Sequence, residues 1–133
     1  MIGGRLQPHH FCKPIAKRPK DRKALIDVVL SQDPHFFLGT DSAPHTKERK
    51  ECASGCAGVF TAPVALPLLA EFFSGNNALS RMEGFCSQFG ADFYGLSRNT
   101  ETLTLVKRPW VVPPSYVGVV PFYAGKEISW AVK

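Results

Sequence analysis

The stretch FFLGTDSAPH, residues 36–45, holds the side chains of this sequence best suited to chemistry. An apolar run from Phe36 to Leu38 is narrowed by Gly39 and Thr40 and ends on Asp41, with Pro44 and His45 close behind. A carboxylate fixed at the end of a buried strand suits metal ligation or proton transfer, because both need a rigidly placed oxygen. An imidazole nearby can bind an anion or move a proton. On spacing alone a second reading stands beside this one. Asp41 can shape a turn with Ser42 and Pro44, and His45 can be an ordinary loop histidine.

Cysteines are the other candidates. Cys52 and Cys56 form a C-x3-C pair, a spacing compatible with a zinc knuckle, but no second pair follows at a suitable distance. Together with Cys12 and Cys86 they are expected to be reduced thiols, since the residues after Met1 do not read as an export signal. The net charge of +5 gathers in two places. One is Lys13, Lys17, Arg18, Lys20, Arg22 and Lys23, which reads as a solvated helix face. The other, Lys47, Arg49 and Lys50, reads either as a wet loop or as a contact for an anionic partner. Aromatic residues do not alternate with these charges as base-stacking platforms would.

The elements that must position Asp41 and His45 follow from local pattern. With 133 residues the chain suits a single domain by length. Residues 7–13 read as a short strand stopped by Pro14. Pro19 opens a helix over 19–31, with Asp21 in its first turn and a buried stripe of Leu25, Val28 and Val29. An apolar strand over 36–40 follows. Strand, helix and strand in this order predict parallel neighbours in an α/β sheet with covered faces. A polar loop leads to a helix over 62–73, capped by Thr61 and tolerating Pro63 and Pro67 near its start. Asn77 caps a further helix closed by Gly90. The tail alternates polar and apolar residues in ETLTLVK and KEISWAVK, predicting a loosely attached β appendage. The charge-free stretch from Cys52 to Ala70 contains prolines and small polar residues, a poor membrane span. A cytoplasmic protein with no membrane partner is expected.

Several motifs in order extend this reading. FLGTDSAPH is followed by K-x-R-K-E (Lys47 to Glu51) and G-C-A-G (Gly55 to Gly58). Upstream lies GRLQPHHFCKPIAKR, and downstream lie APVAL, FCSQFGADFYGL and VPFYAGKEISWAVK. Together they resemble the C-terminal part of the dihydroorotases of the single-domain, homodimeric type, within the metal-dependent amidohydrolase superfamily. The resemblance implies the last two strands of a (β/α)8 barrel with a C-terminal helical and β appendage. It also implies the interconversion of N-carbamoyl-L-aspartate and L-dihydroorotate in pyrimidine synthesis, a binuclear zinc centre, and no nucleic-acid partner. Asp41 matches the family aspartate that both binds zinc and handles the proton. His45 matches a histidine that binds the substrate carboxylate. Ala57 matches a loop residue whose backbone contacts the substrate ring, and Lys13 falls at a further backbone contact.

The same resemblance implies an incomplete barrel. A (β/α)8 barrel takes about 250 residues, and the paired histidines, the carboxylated lysine and the further histidine ligands of the family are absent. None of His9, His10, His35 and His45 matches a family metal ligand. Residues 1–133 are therefore expected to be the C-terminal part of an amidohydrolase domain, inactive alone. Two other readings stand beside this one: a non-catalytic binding or scaffolding partner, and a small basic nucleic-acid binder.

Overall fold

The computed structural model describes residues 6–15 and 18–133. Lys17 of the basic cluster and the first five residues lie outside them.

Helix α1 spans Pro19–Ser31, as the proline and the first-turn acid predict. The Asp21 carboxylate accepts from both the backbone N–H and the side chain of Arg18, closing the helix start reciprocally. Gln32, with φ 63°, ends it. The expected buried stripe is only partial. No residue of α1 is buried, and Leu25 is 54% exposed, while Val29 and Leu30 touch the core. A helix at the margin of the fold has one contact line rather than a covered face.

The short helix α2, Lys47–Lys50, leads through a turn to a loop that returns to the segment around Asp41. Helix α3, Ala65–Gly75, is the centre of the packing. Its Pro67 is buried in the first turn, where no helical N–H is needed. Thr61 does not cap it. The Thr61 hydroxyl instead donates to the Thr40 carbonyl at 3.1 Å, and the helix begins after Val64. Phe73 of α3 is fully buried among Ala70, Ala78 and Met82, with the Phe72 and Phe85 rings at 5.1 and 5.9 Å.

The following helical stretch starts as a 3₁₀ turn, Leu79–Arg81, widens into a π segment, Gly84–Gln88, and finishes as α4, Phe89–Tyr94. It closes at Gly95 with φ 65°, not at Gly90. Gly90 is helical and lies against the Phe37 ring, where an added Cβ would sit 3.0 Å from Cδ2.

Strands β1, Leu105–Val111, and β2, Glu127–Val132, pair antiparallel. The register shifts between Lys107 and Trp110, across Arg108 and Pro109. Proline cannot donate to the ladder, so it occupies the irregularity. This tail is not a loose appendage. Ile128 and Ala131 are buried, Trp130 packs on the Phe73 cluster, and Ile128 joins Val64 and Val112 in a second cluster.

The two strands expected over 7–13 and 36–40 do not form. The first contains a 3₁₀ turn, Pro8–His10, and the second is irregular. A strand exists only by pairing, and neither segment meets a neighbouring strand among the described residues. Leu38 N–H donates to the Phe85 carbonyl of the π segment instead, at 3.0 Å. Parallel pairing survives as isolated bridges, Ser42 with Val59 and Phe60 with Pro121. The described residues thus make a small α/β unit with a two-stranded antiparallel sheet. No described helix is long and apolar enough to cross a membrane.

Candidate functional site

Asp41 is exposed and has φ 43°, in the left-handed region that aspartate visits more readily than most residues. The chain is pinned on both sides of it by one partner segment. Before it, Thr40 O accepts from Thr61. After it, Ser42 Oγ accepts the N–H groups of Thr61 and Ala62 at 3.2 and 3.0 Å, and Ala43 N–H donates to Val59 O at 3.0 Å. Asp41 is the outward residue of a doubly anchored turn. Its rigidity comes from these bonds rather than from a buried strand.

His45 sits on the same segment, half-buried, with Nε2 3.0 Å from the carbonyl oxygen of Ala57. Between them lies Gly58, at φ 139°. A Cβ on Gly58 would stand 2.7 Å from Ala43 Cβ, 2.8 Å from Ala43 O and 3.0 Å from His45 Cδ2. Only glycine allows this approach.

Beneath the loop lies Lys50, 4% exposed, whose Nζ donates to the carbonyls of Phe11, Cys56 and Gly58 at 3.0, 2.8 and 2.6 Å. Burial holds its ammonium below the ordinary lysine range, with the Cys56 and Cys12 thiols acting the other way. The sequence reading missed this residue by treating it as one of a charged trio on a wet loop. The signal available was its place directly after Arg49 and before Glu51 in a motif shared with a known family.

Of the residues singled out from the sequence, His45 and Ala57 are in direct contact, and Asp41 shares the anchored segment with His45. Lys13 is exposed and makes no hydrogen bond to them, though Phe11, two positions before it, accepts from Gly58 N–H at 2.9 Å. The cysteines are free. Cys52 Sγ contacts Arg49 O and Ser54 Oγ, both at 3.5 Å, and among the described residues neither it nor Cys56 belongs to a group of three metal-ligating side chains. Among the described residues no three His, Cys, Asp or Glu side chains converge, so Asp41 offers a metal one carboxylate and the set as it stands does not fit a zinc centre.

A carboxylate can accept a proton and an imidazole can bind an anion or carry a proton, and both stand on one anchored segment. Comparison with known proteins makes this particular. The chain is 51% identical to the dihydroorotase of a Marinomonas species over 138 aligned residues, covering 100% of this chain and 40% of that protein. It is 51% identical to the dihydroorotase of Acinetobacter baylyi, covering 98% and 39%. The structure superimposes with TM-score 0.87 on dihydroorotase from Saccharomyces cerevisiae in complex with 5-fluoroorotic acid, at 40% identity over 96% of this chain and 38% of that one. It superimposes equally, with TM-score 0.87 and 41% identity, on dihydroorotase from Campylobacter jejuni, covering 99% and 40%. No family model matches the chain. The chain belongs with the dihydroorotases as a partial segment, spanning about 40% of the length of the relatives it matches.

Proposed function

We propose that the chain is the C-terminal part of a dihydroorotase and contributes to the reversible cyclisation of N-carbamoyl-L-aspartate to L-dihydroorotate. The observation that carries this is the likeness, over nearly the whole chain, to a yeast enzyme holding 5-fluoroorotic acid, a pyrimidine ring with a carboxylate. A ligand of that kind needs a cationic or N–H contact for its carboxylate and a proton carrier for its ring amide. Asp41, His45, the backbone of Ala57 and the backbone at Lys13 are the groups assigned to these tasks.

In ring opening, water attacks the ring amide carbonyl, a C–O bond forms, and the C–N bond breaks. Asp41 takes the proton from the water and delivers it to the leaving nitrogen. In ring closure it runs the transfer backwards. His45 and the Ala57 backbone hold the ring and its carboxylate while this happens. Among the described residues no three metal-ligating side chains converge, so this part of the chain does not by itself fit the zinc centre that the family implies.

In the same reading, residues 1–133 form the closing part of an amidohydrolase (β/α)8 barrel, in a cytoplasmic homodimer with no nucleic-acid or membrane partner. Residues 7–13 and 36–40 would gain their strand partners there. The test is a chimera in which this chain replaces the matching segment of the Marinomonas dihydroorotase. The reading expects ring-opening activity in the chimera and none in the 133-residue chain alone. A folded chimera without activity would overturn it.

A further inference from the structure

Lys50 is buried with three carbonyl partners and, among the described residues, no carboxylate within ion-pair distance. An ammonium has three N–H donors, and here each has an acceptor. Removing a lysine charge from water costs free energy, and an apolar side chain of similar length would often serve stability as well or better. The arrangement needs a reason beyond packing.

The partners supply one. Cys56 and Gly58 flank Ala57, and both their carbonyls turn inward onto Nζ. The carbonyl between them, that of Ala57, goes to His45. Cys56 N–H donates to Arg49 O, and Gly58 N–H donates to Phe11 O. Of the backbone polar groups of residues 56–58, all but one have protein partners among the described residues, and the one left is the Ala57 N–H. Phe11 O, the third acceptor of Lys50, ties in the segment that leads to Lys13. The same two segments meet again where His9 Nε2 lies 2.9 Å from Glu51 Oε1.

We propose that Lys50 is a positioning residue for substrate binding: its ammonium gathers three carbonyls so that the Ala57 N–H and the backbone at Lys13 are presented together to an acidic ring ligand. The identity of that ligand rests on the dihydroorotase reading. The device itself rests on the hydrogen bonds. Lys50 touches no substrate and moves no proton. Its loss should weaken ground-state and transition-state binding alike, a KM effect.

The test has two arms. In the 133-residue chain, Lys50→Met should speed amide exchange at Cys56 and Gly58 by about tenfold or more while leaving the Phe73 and Ile128 amides protected. Lys47→Met, on the exposed face of the same short helix, should change neither. In the active chimera, Lys50→Met should raise KM for dihydroorotate about tenfold or more with kcat within roughly threefold. Lys50→Arg keeps the charge, but its planar fork cannot meet three carbonyls around one nitrogen, so it should not restore KM. If Lys50→Met fails to fold, the arginine variant decides. An active chimera whose KM ignores both Lys50 substitutions would overturn this proposal alone, as would loss of kcat at unchanged KM. An inactive unsubstituted chimera would overturn the dihydroorotase reading and the substrate assignment with it, leaving the exchange arm to decide whether the anchor exists.

Discussion

His45 Nε2 stands 3.0 Å from the carbonyl oxygen of Ala57, and a carbonyl can only accept. The proton of a neutral His45 ring therefore sits on Nε2, and Nδ1 is left as an acceptor. To hold a substrate carboxylate through Nδ1, the ring must take up a second proton and become a cation. The contact with Ala57 thus fixes the ring orientation, and under the proposed substrate assignment an anion at Nδ1 would meet the doubly protonated ring.

This predicts the behaviour of His45→Gln in the active chimera. The glutamine amide can still donate to Ala57 O but offers no cationic second nitrogen. A charge-assisted hydrogen bond is worth about 1.5–3 kcal/mol, so KM for dihydroorotate should rise by roughly 10- to 100-fold, with a smaller change in kcat. Steady-state kinetics at fixed pH decide it. An unchanged KM would remove His45 from the substrate site.

The close approach at Gly58 predicts a stability effect. Gly58→Ala places a methyl within 3.0 Å of Ala43 and His45 and forces φ 139° on a residue with a side chain. Overpacking and dihedral strain together should cost roughly 2–6 kcal/mol. Gly39, with nothing within 4 Å of an added Cβ, is the control, and Gly39→Ala should be nearly silent. Denaturant midpoints of the two variants make the comparison. Equal midpoints would mean that the loop over Ala57 is not packed as described.

The thiols predict an order of reaction. Cys52 is exposed, and hydrogen bonds from the Ser54 hydroxyl and the Gly55 N–H hold its thiol below the ordinary range. Burial pushes the Cys86 thiol up to about 11 from 9.0. Only the thiolate reacts with a disulfide reagent, so Cys86 should label roughly 100-fold more slowly near pH 8 from ionisation alone, and Cys52 should label first. The sign of the linked stability follows. The unfolded chain ionises Cys86 first, so the contribution is full below pH 9 and is lost as pH rises toward 11. Mass spectrometry of partly labelled protein reads the order, and Cys86 labelling alongside Cys52 would contradict it.

Much of the fold was legible from local signals. Pro19 and Asp21 marked α1 at its true bounds, and the alternation around Ile128, Trp130 and Val132 marked β2. What was not legible depends on partners far along the chain. Thr61 looks like a helix cap until Thr40 claims its hydroxyl. Gly90 looks like a helix stop, but the helix runs on to Tyr94, and the missing Cβ leaves room for the Phe37 ring. Phe36, Phe37 and Leu38 read as a strand, but a strand is a relation between segments, and here Phe37 packs against Phe93 and Tyr94 at the end of α4 while Phe36 stays exposed. At the site, the carboxylate and imidazole stood out by type. Lys50 did not, because a lysine buried by three carbonyls looks like any other lysine in sequence.

The most direct measurement is kcat for ring opening by the active chimera with and without Asp41→Asn. Asparagine keeps the size of the side chain at this anchored turn but cannot accept the proton. General acid–base assistance is worth roughly 100- to 10,000-fold, so kcat should fall by at least that order in both the opening and closing directions. Turnover by Asp41→Asn close to that of the unsubstituted chimera would contradict the role of Asp41 as proton carrier.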